Sequence, residues 1–416
     1  MPEVPMRRTA ALLVLVAGCT SYEHAPPPVT CEAPGFALRP EAARWPAEGT
    51  GPVNALRPQD QPEPSRLPTL KAGQLDDNDR FDEFLHYRDH VEKRVQGRVH
   101  EIDVSERVTL RIVDAASRPV PGAKVIVRDA SGQPVSRRTT YADGRALFFP
   151  RAEASAQDEE WVVDVSLGDL HARKVVTRGE DAVTLRLDGE RDQGRPALDV
   201  VFCLDCTGSM GDEIDRLKQT IGDVANRLAK LPGSPRVRLG LVRYKDRCDE
   251  YVVARDDLTA DLGTFRRALA KAEAGGGGDY PEDVQAGLAA AIDAPSWSRS
   301  PDAARLVFLI GDAPPHLDYT DEQDYPTTLR HAAERGVKIC TLAASGLDDA
   351  GEYIWRQLAE ATLGRFIFIS YAVPGGGRGT PHHTGPYLEN DLDDIVVKQC
   401  ARELEALQAG PVNEQR

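Results

Sequence analysis

Leu198-Asp-Val-Val-Phe-Cys-Leu204, running on into Asp205-Cys206-Thr207-Gly208-Ser209, is the stretch on which the reading of this chain turns. Its first half is a nearly unbroken apolar run, the pattern of a parallel strand buried on both faces. Its second half sets a carboxylate and two hydroxyls, in the order D-x-T-x-S, where that strand has to end. Ile214, Leu217, Ile221, Val224 and Leu228 then recur at helical spacing. The alternation continues outward. Strands are predicted at 237–242, 306–310, 337–342 and 366–369, with 251–254 as hairpin partner of the first. Helices are predicted around Leu262, Phe265 and Leu269, over 281–292 with Pro281 in the first turn, over 327–335 and 352–361, and around Leu392, Ile395, Val396, Gln399, Cys400 and Leu404. The fold class this implies is α/β, a doubly wound, mostly parallel sheet over 195–408. Ligands of such sheets bind beyond the carboxyl ends of the strands.

Upstream the period changes to two. Val108, Leu110 and Ile112 alternate with polar residues, and further short runs lie at 124–127, 146–149, 161–165, 172–176 and 183–187, parted by Ser131-Gly132, Asp143-Gly144 and Gly168-Asp169. Six or seven such strands predict a small all-β sandwich over 99–190. Before it, Phe81, Phe84, Leu85, Val91 and Val95 predict one amphipathic helix over 79–97, capped by Asp79, stopped at Gly97 and packed on a folded domain. Segment 19–78, proline-rich from Pro26 to Pro68, is expected to be an extended tether. The runs Val113-Asp114, Arg118-Pro119-Val120-Pro121-Gly122-Ala123-Lys124-Val125 and Thr140-Tyr141-Ala142-Asp143-Gly144-Arg145-Ala146 resemble the carboxypeptidase regulatory-like sandwich, a spacer or binding module.

The chain has 416 residues, enough for two or three domains. A net charge of −15 sets aside the usual basic nucleic-acid binder. Apolar residues at 41% supply cores, yet no run of about 20 of them offers a membrane-spanning helix. Met6-Arg7-Arg8, the short apolar stretch 9–17 and Gly18-Cys19 have the layout of a secretory signal over 1–18. Val16-Ala17-Gly18-Cys19 resembles the bacterial lipobox. That resemblance implies cleavage before Cys19, lipidation of Cys19, and contact with the membrane through the lipid anchor only. Thr20, where an Asp would signal retention at the inner membrane, points to the outer membrane, on its periplasmic or surface face.

Export implies an oxidising compartment. Of the seven cysteines, the six besides Cys19 allow 15 connectivities. Cys206 and Cys248 lie in turns expected to close the same sheet edge, so a Cys206–Cys248 disulfide is expected, with Cys340 and Cys400 a further candidate pair. Cys203, inside a strand, reads as a buried thiol. A thioredoxin-like role for Cys203-x-x-Cys206 would want its reactive cysteine at a helix N-terminus.

Asp205, Thr207 and Ser209 together offer the oxygen ligands that hard divalent cations take. Leu309-Ile310-Gly311-Asp312 brings a second carboxylate to the same rim, and the glycines 275–278 lead into Asp279-Tyr280-Pro281-Glu282-Asp283. This set resembles the von Willebrand factor A domain with its metal-ion-dependent adhesion site. Carried over by motif, Asp205, Thr207, Ser209 and Asp312 match. The family's loop threonine is absent, and Gly277-Gly278-Asp279 offers Asp279 in its place. The resemblance implies Mg²⁺, with Mn²⁺ or Ca²⁺ admitted by the extra carboxylate. It implies binding without turnover, an acidic side chain of a protein partner completing the cation's shell. Without a metal, the same three residues read as the N-cap of the next helix. Asp246, Glu282, Asp283, Asp318 and Asp321 read as solvated rim charges, and His382 and His383 as polar loop residues.

Enzyme motifs fail one by one. Cys206 interrupts the D-[ST]-G of aspartic proteases, Gly208-Ser209-Met210-Gly211 misses G-x-S-x-G, and the glycines 275–278 lack the Lys-[ST] of a phosphate loop. The expected function is a lipid-anchored, non-catalytic interaction module carried on a sandwich stalk. A metal-dependent hydrolase and an envelope scaffold with a stabilising metal are the alternatives.

Overall fold

The computed structural model describes residues 69–370, 382–383 and 387–412, all within one compact unit. The signal, Cys19 and the tether up to residue 68 lie outside the described residues.

An eight-stranded sheet runs in the order Val253–Thr259, Arg236–Tyr244, Ala197–Asp205, Ala303–Gly311, Val337–Ala343, Phe366–Ser370, Lys71–Leu75 and Asn390–Asp391. The five strands from Arg236–Tyr244 to Phe366–Ser370 are parallel. Ala197–Asp205 and Ala303–Gly311 are buried along their whole length, which is why their sequences are apolar without alternation. Val200, Phe202 and Leu204 face the helices Ile214–Leu228, Leu262–Ala270 and Leu392–Leu407. Val201 and Cys203 face Val284–Asp293, Tyr325–Arg335 and Asp349–Glu360. The expected doubly wound α/β architecture is therefore present.

The sandwich has two sheets. Arg145–Phe148, Val108–Val113 and Ala182–Arg186 form one; Pro134–Thr139, Lys124–Arg128, Glu160–Leu167 and Leu170–Thr177 form the other. Strand Pro134–Thr139 escaped the periodicity because it reads P-V-S-R-R-T; its pairing with Lys124–Arg128 holds it. The sandwich is not a stalk in series with the α/β sheet. Tyr141, Leu147 and Phe149 enter the same core as helix Tyr325–Arg335. Buried Arg191 pairs with Asp302 at 2.7 Å and donates to Pro119 O and Leu407 O, each at 2.9 Å.

Further boundaries differ from expectation. Lys71–Leu75, assigned to the tether, is a strand antiparallel to Phe366–Ser370. Its apolar side chains, Ala72 and Leu75, stand three apart, so five residues show no strand period. Just beyond it, Asp77 is buried against Arg356, which donates to both its oxygens at 2.7 and 2.9 Å. The helix expected over 79–97 spans Phe81–Val95, its N-cap position is Arg80 with no side-chain cap instead of Asp79, and it packs on Asp349–Glu360, with Tyr87 lying 3.6 Å from the Arg356 guanidinium. The helix expected from Pro281 begins instead at Val284, because Asp283 caps it by accepting from Ala286 N at 3.0 Å. The hairpin partner expected at 251–254 lies at Val253–Thr259.

Candidate metal centre

Asp205 ends its strand opposite Tyr244 of the neighbouring strand. On its other side Ile310 pairs with Leu204, which brings Gly311 and Asp312 alongside Asp205. The chain leaves Ala197–Asp205 in one direction and later returns on its other flank, so the carboxylates sit at a switch point of the sheet. Gly311 is required there: a Cβ would lie 2.5 Å from Tyr244 Oη and 2.9 Å from Asp205 Oδ2.

The D-x-T-x-S turn then organises the donors. Asp205 Oδ1 accepts from Thr207 N at 2.8 Å and from Thr207 Oγ1 at 2.7 Å. Thr207 Oγ1 lies 3.1 Å from Ser209 Oγ, which donates to Asp312 Oδ1 at 2.9 Å. Four sequence-predicted residues from two strand ends thus form one continuous row of oxygens. The N-cap role is not what the turn performs. A 3-10 turn, Gly208–Asp212, intervenes before helix Ile214–Leu228, and neither flanking residue caps through its side chain.

The glycine-rich loop lies directly on this turn. Gly208 N donates to Gly276 O at 3.0 Å and Gly275 N to Cys206 O at 3.1 Å. Gly276 and Gly277 both have positive φ, +82° and +75°, as this approach demands. The loop delivers Glu282, which is 3% exposed, not solvated. Asp246 and Asp283 are buried as well. Asp318 and Asp321 are the two rim charges that stay exposed.

Asp279 takes a different position from its expected role. It is largely exposed, 3.8 Å from His316 Nε2. Among the described residues no hydrogen bond or ion pair joins it to Asp205, Thr207, Ser209 or Asp312. His316 was not singled out from the sequence, and Glu282 was read only as a solvated rim charge. The available signals were Pro281-Glu282 at the helix entry and His316 four residues after Asp312, on the same rim.

Burial, with the charge of Asp312 beside it, pushes the Asp205 carboxyl up to about 7. Burial raises Asp312 to about 6, against the pull of the Ser209 hydrogen bond. Burial, then Asp205 and Asp246, push Glu282 up to about 9. Asp205 Oδ2 and Glu282 Oε2 are buried without a well-formed hydrogen bond. The Tyr244 hydroxyl beside Asp205 pulls its carboxyl back down against that rise, and lies 3.5 Å from Ile310 O. Orphaned buried oxygens and crowded carboxyls, flanked by two hydroxyls, fit a hard divalent cation.

The expected Cys206–Cys248 disulfide is not formed. Cys206 is a free, buried thiol in the core on the Ile214–Leu228 side of the sheet. Cys248 is disulfide-bonded, but to none of the four free described cysteines, Cys203, Cys206, Cys340 and Cys400. A shared sheet edge does not align Cβ vectors, and a disulfide needs that alignment. His382 and His383 both engage Glu352, as polar loop residues would.

Residues 199–370 match the von Willebrand factor type A domain family. Alpha-protein kinase vwkA of Dictyostelium discoideum is 28% identical over 235 residues, covering 53% of this chain; the chain spans 35% of that protein's length. Two solved structures overlap the chain more distantly. Proximal thread matrix protein 1 from the mussel byssus is 15% identical, with 51% of this chain and 46% of that one covered and a TM-score of 0.33. The pilus adhesin SpaC of Lactobacillus rhamnosus GG, in its open conformation, is 13% identical, with 60% and 34% covered and a TM-score of 0.35.

Proposed function

We propose that this chain, whose residues 199–370 form a von Willebrand factor type A domain, is an exported protein, lipid-anchored at Cys19 to the outer membrane, that binds an acidic group of a protein partner without turning it over. Asp205, Thr207, Ser209 and Asp312 would hold Mg²⁺, or Mn²⁺ or Ca²⁺, with Glu282 beside them. Such a cation supplies an acidic chain with an attachment point for an acidic ligand. The observation that carries the reading is the continuous oxygen row from Asp205 to Asp312 beside the orphaned Asp205 Oδ2.

The residues contribute in distinct ways. Gly311 and Gly277 let backbone and carboxylates approach without an intervening Cβ. Asp205 fixes the Thr207 hydroxyl, and Asp312 fixes that of Ser209, so the donors are already oriented. The site edge is built on strand ends, and the glycine-rich loop beside it carries the exposed Asp279 and Tyr280. No helix among the described residues is long and apolar enough to cross a membrane.

The experiment is recovery of partners from envelope extract on immobilised protein, with and without chelator, beside the same assay on Asp205→Ala. Chelator and substitution should abolish the same bands. Recovery that survives both, or release of a chemically altered partner, would remove the binding reading, the latter in favour of a hydrolase.

A further inference from the structure

We propose that Asp246, Asp279 and His316 form a second cation site on this rim, suited to a first-row transition ion such as Zn²⁺ or Mn²⁺ more than to Mg²⁺. The site goes beyond the function proposed above and uses none of the four residues of the oxygen row.

His316 is 6% exposed and held on every side that fixes a ring. Its Nδ1 lies 2.8 Å from Asp318 Oδ1. Its face stacks on Tyr319, with centroids 4.0 Å apart and planes 9° from parallel, and the Arg247 guanidinium sits 3.8 Å from that tyrosine ring. Its backbone N donates to Glu282 O at 3.1 Å. With Nδ1 engaged by a carboxylate, the lone pair belongs on Nε2. That atom is buried and has no hydrogen-bond partner. It points between Asp246 Oδ1 at 3.7 Å and Asp279 Oδ2 at 3.8 Å.

These distances decide between two explanations. A charged imidazolium would place Nε2–H about 2.7–3.2 Å from an acceptor, and both carboxylates stand off by more than that. Two ligands sharing one ion at bonds of about 2.1 Å, with an opening of roughly 110–130°, lie about 3.4–3.8 Å apart. One donor atom from each of the three residues falls within 4.8 Å of the others. The two separations from Nε2 are those of co-ligands, and the unpaired nitrogen is the donor that an ion would engage.

The chemistry of the set gives the class of ion. One imidazole nitrogen with two carboxylate oxygens suits borderline transition cations, whereas Mg²⁺ and Ca²⁺ prefer all-oxygen shells. Asp318 on the far nitrogen supplies the carboxylate–histidine support characteristic of metal-bound imidazole. Asp246 is buried and held by Tyr319 Oη at 3.1 Å. Asp279, exposed at the end of the glycine run, is the arm that can adjust by a few tenths of an ångström and leaves the remaining positions open to solvent.

The test is calorimetric titration of the full chain with Zn²⁺ in about 10 mM Mg²⁺, which keeps the oxygen row supplied with its own ion. Wild type should take up a Zn²⁺ equivalent that His316→Gln and Asp279→Asn each weaken at least tenfold, and Asp318→Asn by about 10–100-fold. Asp279 is exposed, so its variant reports on binding even if the buried His316 variant folds poorly. Asp205→Ala should retain the Zn²⁺ equivalent while losing the Mg²⁺-dependent rise in thermal midpoint, which separates the two sites. Equal Zn²⁺ uptake by wild type and Asp279→Asn overturns the proposal, as does loss of that uptake in Asp205→Ala or its absence from wild type in excess Mg²⁺.

Discussion

Replacing Asp205 by Asn should flatten the pH dependence of the chelated protein by an amount the structure sets. Asn keeps the Oδ1 that accepts from Thr207 and removes a carboxyl that burial and Asp312 raise from 3.8 to about 7. The folded state therefore holds this proton over a range in which the unfolded chain has released it. Stability is fully present below the unfolded value and falls as pH rises through the folded one. Between about pH 5.5 and pH 8 the cost works out at roughly 1.5 decades of proton affinity, or about 2 kcal/mol. For a domain of this size that is about 4–8 °C in thermal midpoint. The assay is thermal unfolding in EDTA at the two pH values. Wild type should lose about 4–8 °C more than Asp205→Asn on going to the higher pH. Comparing slopes cancels whatever pH-independent cost the buried amide introduces. Added Mg²⁺ should stabilise wild type more at pH 8 than at pH 5.5, since it competes with the proton, and should not stabilise the variant. Equal slopes for the two proteins in EDTA would refute the reasoning, because Asp205 would then carry no raised proton affinity.

Two other outcomes are expected. Arg191→Met should cost about 3–5 kcal/mol in urea unfolding, because it leaves Asp302 buried without its ion-pair partner; Arg191→Met with Asp302→Leu should recover much of it, and a loss below about 1 kcal/mol in the single variant would show that the pair does not join sandwich to sheet. In the native protein the thiols of Cys203, Cys206, Cys340 and Cys400 should resist alkylation, being buried and, for Cys206 and Cys340, pushed up by burial to about 11 and about 12; peptide mapping after denaturation should find all four free, and rapid native labelling of Cys206 would contradict its placement.

What could be read from the chain depended on whether burial leaves a mark in the local sequence. Asp205 and Asp312 were legible because each ends a run of apolar residues buried on both faces, so the end of the run locates the rim. Thr207 and Ser209 followed from their spacing after Asp205. Glu282 was not legible as a buried group. It stands in a loop whose backbone pairs with 314–316, Glu282 N donating to Pro314 O at 3.1 Å, a contact between distant segments that local hydropathy does not record. His316 was hidden for the same reason, since its partners Asp246, Asp279 and Asp318 come from three loops. Asp279 was displaced from its expected role because motif matching places a residue in a loop without fixing which way the loop turns it. The edge strand Lys71–Leu75 was missed because its pattern, K-A-G-Q-L, gains meaning only beside Phe366–Ser370. Its glycine supports that pairing: a Cβ on Gly73 would fall 2.3 Å from the Phe368 ring.

That edge strand determines how a pull would travel through the molecule. Tension on the chain preceding Lys71 arrives first at the edge strand's outermost pairs, with Ser370 on one side and Asp391 on the other, at the same carboxyl edge of the sheet as Asp205 and Asp312. The clamp of Arg356 on Asp77 stands directly behind them as a second stop. The sandwich, which leaves the sheet after this strand and rejoins it at Ala197, hangs to the side of that route. It bears none of the strain between the leading segment and the acidic rim, and it would neither stretch nor cushion when the rim is loaded.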